Sequence, residues 1–343
     1  MIKYGVLLLI ILSMTLTLVA QDSTCEAGFV WLENDRLASD PLCVPQNPER
    51  IVALDPFTFE LLVALDIPLV AIPQVYVETL TSNFSQFDDY FTDILDTGIP
   101  VNFETLLAAT PDIILCRQSA CADQYDSLSQ VAPTVMFANE SAADWRDSAH
   151  FYAEVLNTTD ELATVEAQFD ERLATLTGLV EMNFPDQAPT ITVLRVRPNQ
   201  LRLYFAESSA GVVWSEAGFV SPDSQSDLLT ASAERFGIPR LMNISLEQIP
   251  LIDADYAFVF VTDGLTDGDG QDYLERVVDN PLWGALTVVE NDNLHIINNY
   301  WFSSGYIGSH AVMDDLFTFV LDMDPAEVAP NPFVIIEDES TSD

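Results

Sequence analysis

From residue 51 onward the chain repeats one rhythm: a short apolar run, a turn, then a stretch with apolar residues at helical spacing. Ile51–Leu54 predicts a strand. Asp55 followed by Pro56 predicts a helix start, because an aspartate oxygen can accept from the free N–H groups of a first turn and proline fits the first helical position. Phe59, Leu62 and Leu65 carry that helix to Pro68, and Leu69–Ile72 predicts the next strand. The pattern returns as a helix over Phe103–Ala109 and a strand over Asp112–Leu115, then a helix over Tyr125–Val131 and a strand over Thr134–Phe137. Short strands alternating with helices predict a mainly parallel sheet with helices on both faces.

One segment departs from the rhythm. Thr158-x-x-Glu161 has the form of a capping box, and Leu162, Val165, Phe169, Leu173, Leu176 and Val180 follow at steps of three and four. The segment predicts a helix of about 24 residues, roughly 36 Å long, ended by Pro185 and Pro189. It is long enough to run behind two domains and join them. The rhythm then restarts with strands over Ile191–Val196 and Leu201–Phe205, a helix over Gly211–Ala217, a short helix over Leu246–Ile249 and a strand over Tyr256–Val261. A helix over Tyr273–Val278, a strand over His295–Ile297 and a final helix over Ile307–Leu321 complete it. The expected architecture is α/β: two Rossmann-like lobes with mainly parallel sheets, joined by one long helix, with a ligand cleft between the lobes. The predicted boundaries are a leader at 1–20, a small hairpin at 21–46, lobes at 47–157 and 184–330 flanking a linking helix at 158–183, and an acidic tail at 331–343, disordered from Glu337.

The N-terminus sets the compartment. Lys3 precedes an apolar run from Val6 to Leu12, and Leu18, Val19 and Ala20 end it, which fits a signal peptide cut after Ala20. An uncleaved anchor is the alternative reading. Ser23 and Thr24 before Cys25 suit lipidation poorly, so a soluble exported protein is expected, in the periplasm or cell-surface space. Export makes an oxidising compartment, and the even cysteine count then predicts two local disulfides, Cys25–Cys43 and Cys116–Cys121.

Charge narrows the function. From Gln21 onward 11 arginines face 54 acids, a net charge of −43. Nucleic acid would be repelled. In so acidic a chain, clustered arginines carry information. No Gly-x-Ser-x-Gly, phosphate loop or His-Glu-x-x-His occurs, which argues against an exported enzyme. His150, His295 and His310 sit at unrelated positions, which argues against capture of a bare metal ion. A sensor module would need a tether or partner domain.

Five stretches, in order, resemble one family, the periplasmic binding proteins for ferric siderophores, haem and cobalamin. They are NPERIVALDPFTFELLVALDIPLVAIP, NFETLLAATPDIIL, ITVLRVRPNQLRLY with the following SSAGVVWSEAGF, ISLEQIPLIDADYAFVF, and NPLWGALTVVENDNLHIINNYWFSSG. The resemblance implies a monomeric solute-binding protein of an ABC importer. It would capture a ferric siderophore in the cleft and pass it to a permease and its ATPase, with no cofactor of its own. Haem or cobalamin is the alternative cargo, and Tyr204, Tyr300 and His295 keep an axial ligand open.

A ferric siderophore is oxygen-rich and often anionic, so its site needs arginine forks and flat aromatic faces. Arg195 and Arg197 lie two apart in a strand and share a face, as do Arg202 and Tyr204 in the next. Arg195 is the leading ligand-binding candidate, with Tyr204 and Arg197 beside it. Arg117, at the end of a strand, and Arg240, in a loop, are further candidates. Tyr300, Trp301 and Phe302 are adjacent; Trp301 matches the family's cleft tryptophan, Tyr300 is a second candidate, and Phe302 is expected in the core. The resemblance also implies that Glu104 and Glu247, in matching short helices, dock onto permease arginines, with Glu60 and Glu216 as weaker substitutes.

Overall fold

The structure, a computed structural model, describes residues 25–138, 144–262, 270–302 and 305–334. The predicted leader and the acidic stretch from Glu337 lie outside these residues.

Two antiparallel strands come first, β1 (Phe29–Leu32) and β2 (Leu42–Pro45), with Trp31 opposite Cys43. The Cys25–Cys43 disulfide closes this hairpin. The first five-stranded sheet holds β3 (Ile51–Ala53), β4 (Leu69–Ile72), β5 (Leu95–Asp96), β6 (Ile113–Arg117) and β7 (Thr134–Phe137). Its order is β5-β4-β3-β6-β7, and every pairing is parallel. Every residue of β3, β6 and β7 is buried, as a parallel sheet covered on both faces requires. Asp55 caps the helix Pro56–Ala64, its Oδ1 accepting from Phe57 N and Thr58 N.

The second sheet holds β8 (Ile191–Arg197), β9 (Gln200–Tyr204), β10 (Leu241–Ile244), β11 (Tyr256–Val261) and β12 (Leu294–Ile297), in the order β10-β9-β8-β11-β12. Only β8, β11 and β12 are mutually parallel along neighbouring pairs; β9 runs antiparallel to both β8 and β10. The reason is chain length. Pro198 and Asn199 alone join β8 to β9, with Asn199 at φ 56°, and a parallel crossover needs a dozen or more residues.

The linking helix spans Thr159–Asn183 and buries Leu162, Val165, Phe169, Leu176 and Val180 at the predicted spacing. The expected capping box does not form. Thr158 sits at ψ 33°, outside the extended region an N-cap needs, and its buried Oγ1 has no hydrogen-bond partner. The closing helix Tyr306–Phe319 packs on the linking helix, on the helix Pro56–Ala64 and on the helix Ser209–Glu216. It therefore belongs to both lobes. One apolar core accordingly runs through Phe59, Leu62 and Phe137 of the first lobe to Val193, Phe258 and Trp301 of the second.

Candidate functional site

The two lobes meet along a seam of side-chain contacts. Asn83 Nδ2 donates to Asn299 Oδ1 across it at 2.7 Å, and Arg146 donates to Glu216 from both terminal guanidinium nitrogens. Glu60 is buried there, and its Oε1 accepts from Gly308 N at the start of the closing helix, 2.7 Å away. A Cβ on Gly305 would meet the Glu60 carboxyl carbon at 2.8 Å, so glycine is what allows this approach. Glu60 and Glu216 are thus each engaged within the molecule.

On the second lobe, Arg195 pairs with Arg202 across β8 and β9, and Arg197 with Gln200, so these side chains share one sheet face. Leu194 and Val196 pack in the core on the opposite face, as the alternation predicts. Arg195 Nε donates to Thr262 Oγ1 at 2.7 Å, and its Nη1 donates to Tyr204 Oη at 3.2 Å. Its guanidinium lies 4.0 Å from the Phe302 ring centroid. Arg197 donates to Gln200 Oε1, and Arg202 donates to Gln200 Oε1 and Asn243 Oδ1. All of these partners are neutral. Among the described residues, none of the three arginines forms an ion pair.

Burial pushes the Arg195 guanidinium below its ordinary value. Tyr204 opposes this, while the like charges of Arg197 and Arg202 reinforce it. An anion laid on this face would relieve both the lost hydration and the mutual repulsion.

Arg117 ends β6 on the first lobe. It is 2% exposed, with its guanidinium 4.3 Å from the Phe57 ring centroid and 5.8 Å from that of Phe137. Its backbone N–H donates to Asp55 Oδ2 at 2.8 Å. Burial lowers its pKa, against the nearby charges of Asp55 and Asp144. The Cys116–Cys121 disulfide closes the turn that follows β6.

Three expected site residues fall elsewhere. Trp301 is fully buried, stacked on Phe258 with centroids 4.6 Å apart, and its Nε1 donates to Asp315 Oδ2 at 2.6 Å. An indole N–H needs an acceptor when buried, and the closing helix supplies one. Tyr300 donates to the same Asp315 oxygen at 2.8 Å and packs on Phe84 of the first lobe. The aromatic ring at the arginine face is Phe302, 39% exposed, which corrects the expectation that Trp301 faces the cleft and Phe302 the core. Arg240 precedes β10, whose Leu241 pairs with Tyr204, so it lies beyond Tyr204, away from the Arg197 end. It stacks on Phe236 at 4.3 Å instead. Neither Arg202 nor Thr262 is among the ligand-binding candidates named from the sequence. The β8–β9 register that sets Arg202 opposite Arg195 was the available signal.

Glu104 and Glu247 are exposed, and each is the second residue of a short helical element, Phe103–Ala108 and Leu246–Ile252. Ser245 hydrogen-bonds the Glu247 carboxyl and lowers its pKa. His150 contacts Glu166, His295 stacks on Phe319, and His310 meets Arg172. Among the described residues no group of three or more metal-ligating side chains converges. Nor is any described helix long and apolar enough to cross a membrane. Two open depressions lie away from the arginine face, one of about 750 Å³ beside Asp40, Gln118 and Tyr125, one of about 480 Å³ beside Glu181 and Gly218. No arginine lines either, so charge points to the β8–β9 arginine face as the candidate site.

The sequence of the periplasmic binding protein family matches residues 51–300. The chain belongs to the periplasmic binding protein family. Its family and fold are those of extracytoplasmic substrate-binding proteins. This periplasmic binding protein is 28% identical over 287 residues to the probable siderophore-binding lipoprotein YfiY of Bacillus subtilis, covering 81% of this chain and 84% of that one. It is 25% identical to the achromobactin-binding periplasmic protein of Dickeya dadantii, covering 63% and 68%. Among solved structures it is similar to Staphylococcus aureus SirA complexed with staphyloferrin B, with a TM-score of 0.71 at 21% identity, covering 85% of this chain and 98% of that one.

Proposed function

We propose that this protein captures an anionic ferric siderophore on the Arg195–Arg197–Arg202 face and delivers it to the permease and ATPase of an ABC importer. One observation carries the reading. In a chain with 54 acids, three arginines sit together with only neutral hydrogen-bond partners among the described residues. A siderophore supplies its own iron ligands, so the protein needs to match only the outer oxygens. Guanidinium forks do this, and Phe302 and Tyr204 offer flat apolar contact. The names of YfiY and the achromobactin-binding protein, and the staphyloferrin B bound to SirA, support the same cargo class.

In this reading residues 47–157 and 184–330 form the two lobes around the cleft, and 158–183 joins them. Glu104 and Glu247 present one carboxylate per lobe to permease arginines. The protein acts as a monomer and catalyses no reaction.

Native mass spectrometry of the purified chain with ferric carboxylate, catecholate and hydroxamate siderophores, haemin and cobalamin tests the cargo. A one-to-one complex with an anionic ferric siderophore is expected. Tight haemin or cobalamin binding with no ferric siderophore bound would replace this reading.

A further inference from the structure

Asn299–Phe302 is a single 3₁₀ turn whose residues reach three different places. Asn299 accepts from Asn83 of the first lobe, and Tyr300 packs on Phe84 beside it. Trp301 stacks on Phe258 in the second-lobe core, and Phe302 lies over Arg195 and against Tyr204. Two of these neighbours are tied to one atom: Tyr300 Oη at 2.8 Å and Trp301 Nε1 at 2.6 Å both donate to Oδ2 of Asp315. Asp315 lies on the closing helix and is 9% exposed.

We propose that Asp315 is a positioning residue for ligand capture: its carboxylate fixes the Asn299–Phe302 turn and so holds the Phe302 ring over Arg195. The role in capture rests on the function proposed above. A buried carboxylate costs hydration, which donors must offset. Here both donors come from consecutive residues, so the carboxylate fixes the direction of the turn rather than one side chain. The next residue along is Phe302, and its ring covers the guanidinium that would meet the ligand. Tyr300 also touches the first lobe, so the same carboxylate ties the ligand face to the lobe seam.

The experiment compares Asp315→Ala, Asp315→Asn, Phe302→Ala and the Asp315→Ala/Phe302→Ala double variant. Without ligand, the Arg195 Nε–H resonance in arginine-labelled protein carries a ring-current shift from Phe302. Asp315→Ala should collapse that shift to the Phe302→Ala value, and Asp315→Asn, which keeps an oxygen acceptor, should retain it. With ferric staphyloferrin B or ferric citrate as probe, Asp315→Ala should weaken binding about tenfold, and the double variant should bind no worse than Phe302→Ala alone. An unchanged Arg195 resonance in Asp315→Ala, or additive losses in the double variant, overturns the proposal. Should Asp315→Ala fail to fold, Tyr300→Phe removes one donor and must reduce the same shift. If wild type binds neither probe, the functional reading fails for them while the ligand-free resonance still decides the positioning role.

Discussion

Each lobe carries an arginine stacked on an aromatic ring, at the end of β6 in the first and within β8 in the second, and the two arginines stand in opposite electrostatic settings. Arg117 on the first lobe lies 4.3 Å from Phe57, its backbone on the Asp55 carboxylate and Asp144 nearby. Arg195 on the second lobe lies 4.0 Å from Phe302, bonded to neutral Thr262 and Tyr204 and flanked by Arg197 and Arg202. The first guanidinium has negative charge within its own lobe. The second has like charge beside it. A chain of net charge −42 repels an anion at long range, but salt screens that field beyond roughly 8–10 Å, so local arginines decide what binds. From the difference we infer that the lobes divide the work: the first-lobe arginine braces the strand end, and the second-lobe arginines, with no ion pair among the described residues, offer positive charge to an anion.

The largest expected effect tests what the lobes share. Glu104→Arg with Glu247→Arg should abolish radioiron uptake in cells carrying the cognate permease while leaving affinity for the ferric complex unchanged. Normal uptake would remove the docking role. Next comes the contrast itself. Arg195→Ala should cost on the order of 2–5 kcal/mol of binding, the usual loss for a desolvated charge pair, with the circular dichroism spectrum unchanged. Arg117→Ala should instead cost on the order of 1–3 kcal/mol of folding stability and less than tenfold in affinity. Equal affinity losses at the two positions would erase the division of labour.

A pH experiment sharpens the second-lobe side. Burial raises the Asp315 pKa to about 6; the charge of Asp314 adds to this, and the bonds from Trp301 and Tyr300 oppose it. Between the ordinary carboxylate range and pH 6 the folded chain holds a proton that the unfolded chain has released. Stability at this site therefore falls as pH rises through that window and levels off above it. Relative to Asp315→Asn, wild type should lose on the order of 3 kcal/mol between pH 4 and pH 7 in denaturant unfolding. Parallel curves for the two proteins would deny the shift. The smallest effects belong to Arg197→Ala and Arg202→Ala, each weakening the ferric complex a few-fold and flattening its salt dependence. Tighter binding by either variant would count against an anionic cargo.

Much of this was legible along the chain. Asp55-Pro56 started its helix where a cap and a proline demand one, and the spacing of Leu162, Val165, Phe169, Leu176 and Val180 placed the linking helix. Other features were not. The helix Trp145–Leu156 was not among the elements predicted from the sequence. The capping box at Thr158 was legible and wrong, because the chain leaves the preceding helix at Asn157, φ 58°, and reaches Thr158 in a conformation unsuited to capping.

By itself the sequence determined the repeating strand–helix order, the shared face of Arg195 and Arg197, the disulfide pairs and the family to which the chain belongs. The first three follow from local periodicity, short loops and composition, which need no knowledge of distant neighbours, and the family from the stretches that resemble it. The tertiary structure alone decided which of three adjacent aromatics meets the arginine. Burying an indole N–H needs an acceptor, and Asp315, fourteen residues on, provides it only once the closing helix docks. That contact turns Trp301 inward and leaves Phe302 over Arg195.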